Sequence, residues 1–167
     1  PPPISTLLPY TTLFRSQSLL DDLFYVSGEI PRVTLFERGL PGQVRRTEDG
    51  QGWEPDELLM DERWLAVRVK DKGLVVLSAC SHAGIVNVLH HARASFPEVP
   101  LHAVMVGLHL SGTNEKIIPE TVAALKDFKL ATIAAGHCTG WRAMAALCLS
   151  FGDKVLAPTA VGKRFTF

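Results

Sequence analysis

Short apolar runs alternate with segments of helical period through most of the chain, and a histidine follows each of three runs. Trp64-Leu65-Ala66-Val67-Arg68-Val69-Lys70 alternates apolar and polar residues as a half-buried strand does. Asp71-Lys72-Gly73 reads as a turn and Leu74–Ala79 as the antiparallel partner. Over Gly84–Ser95 the apolar positions Ile85, Val88, Leu89 and Ala92 share one helical face, with His90 and His91 placed on the solvated side. A second apolar run spans Ala103–Leu108, with His102 at its beginning. Pro119 suits the first turn of a second helix that turns Val122, Leu125 and Phe128 inward. A third apolar run, Ala131–Gly136, precedes Thr139, which suits the cap of a helix over Gly140–Ser150 that Gly152 ends. Lys154–Ala157 and Val161–Phe167 read as one or two closing strands.

The amino-terminal part is less periodic. Leu19–Val26 leads into Ser27-Gly28, Glu29–Glu37 reads as a short strand or extended segment, and Arg38–Glu54, rich in Gly, Pro and charge, reads as an exposed loop. Residues 1–16 do not match the rest: three leading prolines and Pro9 break any element, and Ile4–Ser16 resembles the conceptual translation of a sequencing-adapter read. Native-looking sequence starts at Gln17, so the expected organisation is a non-native segment over 1–16 and one domain portion over 17–167.

Strand–helix alternation predicts an α/β protein. Its chemistry is then expected at the carboxyl ends of strands, where loops converge. His82, His109 and His137 all stand just past such ends, each flanked by small residues in Cys80-Ser81-His82-Ala83-Gly84, Gly107-Leu108-His109-Leu110 and Gly136-His137-Cys138-Thr139-Gly140. Imidazoles delivered to one edge make a metal site for Zn, Fe or Mn. The helix starts at Gly84 and Gly140 offer free N–H groups to an anionic oxygen, and Ser81, Thr113 and Thr139 bring hydroxyls to the same edge, with capping as Thr139's plainer role.

Bulk composition narrows the class. Seventeen basic and seventeen acidic residues cancel, which gives no electrostatic footprint for nucleic acid or an acidic membrane surface. No apolar run approaches the ~18 residues of a spanning helix. Three cysteines without a C-x-x-C pair point to a reducing cytoplasm; Cys80 and Cys138 read as small buried thiols or soft ligands, and Cys148 as a core residue. A G-x-S-x-G elbow, a phosphate-binding G-x-x-x-x-G-K-[ST] loop and a G-x-G-x-x-G fingerprint are all missing from the sequence. A thiol enzyme built on Cys80 or Cys138 stays open as a rival.

Gly73–Asn87, Gly107-Leu108-His109-Leu110 and His137-Cys138-Thr139-Gly140 together resemble the metallo-β-lactamase-fold hydrolases. Within them the chain is most similar to the branch of dihydropterin-ribofuranosylaminobenzene-phosphate synthase-like proteins, and Ser27-Gly28-Glu29-Ile30-Pro31-Arg32 also resembles a loop of that branch. The resemblance implies an αββα sandwich with one or two divalent metals, chiefly Zn, that activate water on a small, phosphorylated or pterin-like substrate. It places His82 and His137 at metal-binding motifs. His109 stands where many relatives carry a bridging aspartate, which leaves it as ligand, ligand support or substrate contact. Arg32, Ser81 and Thr139 are candidate substrate contacts, with a surface ion pair as the plainer role of Arg32; no catalytic residue is assigned.

One departure matters. The family's principal cluster, H-x-H-x-D-H, has no counterpart, because the histidines are 82, 90, 91, 102, 109 and 137. The resemblance therefore implies a carboxyl-terminal portion of the sandwich with little activity alone and an apolar sheet face left to cover. The alternative is a binding module that keeps the fold and lacks catalysis.

Overall fold

The structure, a computed structural model, describes residues 16–19 and 23–167. The adapter-like segment, apart from Ser16, lies outside the described residues. One mixed sheet carries, in spatial order, β1 (Gln17–Leu19), β2 (Phe24–Val26), β5 (Trp64–Val69), β6 (Gly73–Ser78), β7 (Leu101–Gly107) and β8 (Thr132–Gly136). Strands β3 (Val44–Arg46) and β4 (Trp53–Pro55) form a separate two-stranded hairpin inside the long polar loop. Pairing is antiparallel from β1 through β6 and parallel across β6, β7 and β8. The helix α1 (Ile85–Ser95) connects β6 to β7, α2 (Ile118–Leu125) connects β7 to β8, and α3 (Trp141–Phe151) follows β8.

The sequence pattern explains the layering. β6 is buried along nearly its whole length, as its continuous apolar run requires of a strand with neighbours on both sides. β5 alternates, and its buried Trp64 and Ala66 share a face with Val76, Val104 and Ile133. On that face lies the core, joined by Ile85, Val88 and Leu89 of α1, Leu125 of α2 and Leu147 of α3. The opposite face carries Phe24, Val26, Leu65, Val67, Val75, Leu77, Ala103, Met105 and Ala134. All are apolar, yet Phe24, Val26, Leu65, Val67, Leu77 and Met105 are only partly buried. The described residues thus build one helix layer and one sheet layer, with a second apolar sheet face beyond.

Several expectations need correction. Glu29–Glu37 forms no strand; it crosses the sheet edge as an irregular segment held by Asn87 Oδ1, which accepts the amides of Val33 and Thr34 at 2.8 and 2.9 Å. The tail makes one isolated bridge, Leu156 to Ile133, instead of closing strands. Cys148 is exposed, because α3 turns Ala143 and Leu147 inward and the next residue rotates about 100° away. His91 is half-buried rather than solvated: it lies one turn beyond buried Val88 and accepts the Trp64 Nε1 proton at 3.2 Å. Burial, then the Arg63 charge, lowers its pKa.

Candidate metal centre

Register brings the site together. β6, β7 and β8 run parallel and end side by side, with Ser78 beside Val106 and Gly107 beside Gly136. The loops that leave them carry Cys80 to His82, His109, and His137 with Cys138. β5 runs the other way and begins with Trp64 opposite Ser78, so Glu62, two residues earlier, arrives at the same edge.

Two carboxylates frame the first loop. Glu62 accepts the amides of His82 at 2.8 Å and Ala83 at 2.6 Å, and its Oε1 lies 3.2 Å from His82 Nδ1. A carboxylate beside Nδ1 is the usual support of a metal-bound histidine, whose Nε2 then faces the ion. Glu37 accepts the amides of Val86 at 2.9 Å and Asn87 at 2.8 Å, in the first turn of α1, and a hydroxyl bond from Thr34 at 3.0 Å. The chain's own carboxylate therefore fills the helix start that was open to an outside anion. Gly84 has φ of 94°, and a Cβ there would run into the Glu37 carboxylate, which explains the residue type. Burial pushes Glu37 up to about 7, against the pull of the Val86 and Asn87 amides, Thr34 and Arg32.

The imidazoles converge beside this frame. The His82 and His109 rings meet edge to face at 4.5 Å between centroids. His109 Nδ1 is buried and lacks a hydrogen-bond partner among the described residues. Its pKa is lowered by burial first and then by His82, with His137 adding in the same sense and Glu62 opposing. Both Ser81 and His109 adopt left-handed backbone, φ 53° and 44°, a conformation that costs energy in non-glycine residues and clusters at functional sites. His137 is exposed, and its Nε2 lies 3.0 Å from Cys80 Sγ. Cys138 Sγ accepts the His109 amide at 3.3 Å and lies 3.9 Å from the Cys80 carbonyl oxygen. Burial, and then the neighbouring Cys80, push the Cys138 thiol up to about 11.

The donors at this edge are nitrogen and sulfur, the types that suit a zinc-like ion. A buried imidazole nitrogen without a partner is costly unless something binds it. Yet the three histidines do not close into one tight set. Among the described residues, the group of three donors whose atoms all lie within 4.8 Å of one another is Cys80, His137 and Cys138.

The other expected contacts are engaged internally. Arg32 donates through its terminal nitrogens to the Ile30 and Leu58 carbonyls, and to that of Leu59 at 3.4 Å. Burial lowers its pKa. Its guanidinium is thus taken up by main chain rather than by an ion pair. Ser81 is buried and donates to Ser78 Oγ at 2.8 Å, although it also lines a narrow cleft with His82, His109, Glu37 and Asn114. Thr139 does not cap α3: its hydroxyl donates to the Gly136 carbonyl at 2.7 Å and accepts the Leu108 amide at 3.2 Å, and the cap position falls on Gly140.

Sequence reasoning missed Glu62 and Glu37. The hairpin already held the signal for Glu62, since a residue just before β5 must lie at the edge where β6 ends. Glu37 gave none, because an irregular segment has no period to follow.

Comparison with known proteins settles the architecture. No family model matches the chain. A solved metal-dependent hydrolase of the β-lactamase superfamily, Tm1679, superposes with a TM-score of 0.74 at 25% identity over 92% of this chain and 56% of that one. The chain has the metallo-β-lactamase fold. A curated relative, the 7,8-dihydropterin-6-methyl-4-(beta-D-ribofuranosyl)-aminobenzene-5'-phosphate synthase of Methanocaldococcus jannaschii, is 39% identical over 83 residues, which are 50% of this chain and 28% of the relative. The metallo-β-lactamase-fold chain thus spans little more than half of the solved neighbour and matches under a third of the synthase. Among the described residues no helix is long and apolar enough to cross a membrane.

Proposed function

We propose that this chain is the carboxyl-terminal, histidine-bearing part of a metal-dependent hydrolase that acts on a small phosphorylated or pterin-like substrate. One observation carries the reading: His82, oriented by Glu62 through Nδ1, faces His109, whose buried Nδ1 has no partner among the described residues. The names of the solved hydrolase and of the synthase support the reaction and substrate classes.

His82 would hold the metal through Nε2, His109 through its buried Nδ1, and His137 would approach from the β8 end of the edge. A divalent ion of the zinc type supplies Lewis acidity and makes water a stronger acid. The chain's own part would be to favour the His82 proton on Nδ1 through Glu62, to hold the His82 loop and the start of α1 by Glu62 and Glu37, and to pack His109 against His82.

Zinc titration of the chelator-stripped chain by calorimetry tests this. Saturable binding that His82→Ala weakens supports it, as does trace hydrolysis of a phosphate monoester only with metal. Absence of binding up to millimolar zinc would favour the second reading, a non-catalytic binding module; that reading draws on the lack of any histidine before residue 82.

A further inference from the structure

Cys80 and Cys138 have no part in the reading above, yet they are the best-gathered donors at the edge. We propose that Cys80, His137 and Cys138 form a thiolate–imidazole binding site for a soft ion of the zinc type, beside the His82–His109 pair. This deepens the metal reading by naming the donors that His137 joins.

The geometry is close to what such an ion needs. Metal–sulfur bonds of about 2.3 Å and metal–nitrogen bonds of about 2.0 Å in a tetrahedron put donors roughly 3.5 to 3.8 Å apart. Here Cys80 Sγ and His137 Nε2 are 3.0 Å apart, and all three donor atoms lie within 4.8 Å of one another. Changes in donor spacing of about an ångström or less, on the order of ordinary thermal displacement, close the set.

Three further features favour the site. Neither sulfur is a core thiol, since both cysteines are only partly buried. The His109 amide points at Cys138 Sγ from 3.3 Å, the kind of hydrogen bond that supports a thiolate. Gly107 leaves the room: a Cβ there would collide with His137 Cε1 and stand 2.7 Å from Cys138 Sγ. Two sulfurs and one imidazole select zinc-type or other soft ions over magnesium or calcium. With His137 exposed, the fourth position opens to solvent, the arrangement of a Cys2His site with a free ligand place.

Cobalt(II) titration of the reduced chain, followed by absorbance, tests the proposal. The wild type should show a near-ultraviolet sulfur-to-cobalt charge-transfer band. That band should persist in Cys148→Ser and His82→Ala, and vanish in the Cys80→Ser/Cys138→Ser double variant together with the binding it reports. Cobalt that binds without the band, or a band that survives in the double variant, overturns the proposal. If binding is then lost in His82→Ala, the imidazole reading stands while this one falls. Should the double variant fail to fold, zinc-edge absorption spectroscopy of the wild type decides: two sulfur neighbours support the site, and a shell of nitrogen and oxygen alone overturns it.

Discussion

The two sides of the metal edge are built by different means. On one, Glu62 clamps His82 and the following amide, Glu37 seals the start of α1, and His109 is pressed against His82. On the other, sulfur contacts and the bare Cα of Gly107 set the spacing of Cys80, His137 and Cys138. The first side is fixed by charge and hydrogen bonds and the second by close packing of main chain, so each should break under a different substitution.

The largest effect is expected from Gly107→Ala. Its Cβ would meet the Ala79 carbonyl oxygen at 2.6 Å as well as Cys138, and backbone cannot step aside cheaply. A loss of about 3 to 5 kcal/mol is expected. Urea unfolding measures it, and an unchanged midpoint would show that packing does not hold the sulfur side.

Next comes Glu37. Its removal in Glu37→Ala strands the Val86 and Asn87 amides, at about 2 to 4 kcal/mol. Its titration has a definite sign. Folding raises its pKa from 4.5 to about 7, so between those values the folded chain keeps a proton that the unfolded chain releases. The contribution is full below pH 4.5 and is lost as pH rises through about 7, by at most about 3 kcal/mol. Unfolding midpoints at pH 5 and pH 7.5 should differ in that sense for the wild type, and the difference should shrink in Glu37→Gln.

Glu62→Gln keeps one of the two acceptors for the His82 and Ala83 amides, so it should cost about 1 to 3 kcal/mol of stability and reduce metal affinity on the His82 side by roughly 10- to 100-fold, as the loss of a carboxylate behind a ligand does. The cobalt–sulfur band should survive it. A band lost together with the His82 contribution would mean that the two sides are one site. The smallest effect belongs to Thr139→Val, which gives up two hydrogen bonds for about 1 to 2 kcal/mol with metal affinity unchanged.

The parts legible in the sequence were those with a period. The β5–β6 hairpin, the three parallel strand ends and the three helices follow from alternation, apolar runs and helical faces. That is why His82, His109 and His137 could be assigned to one edge without coordinates. What escaped depended on long-range satisfaction of polar groups: Glu37 reaching α1 from 49 residues away, Asn87 holding the irregular 33–34 segment, and Arg32 spent on main-chain carbonyls. Thr139 was misassigned for the same reason. A hydroxyl beside a helix start reads as a cap, but the Leu108 amide of a neighbouring loop claimed it.

Histidine ring nitrogen–proton correlation spectra, recorded during a zinc titration of the reduced chain, test the central claim most directly. His82 should keep its proton on Nδ1 while its Nε2 resonance shifts, and His109 and His137 should shift while His90 and His102 do not. Ring resonances that stay unmoved to millimolar zinc, or that move alike for all six histidines, would contradict a metal centre at this edge.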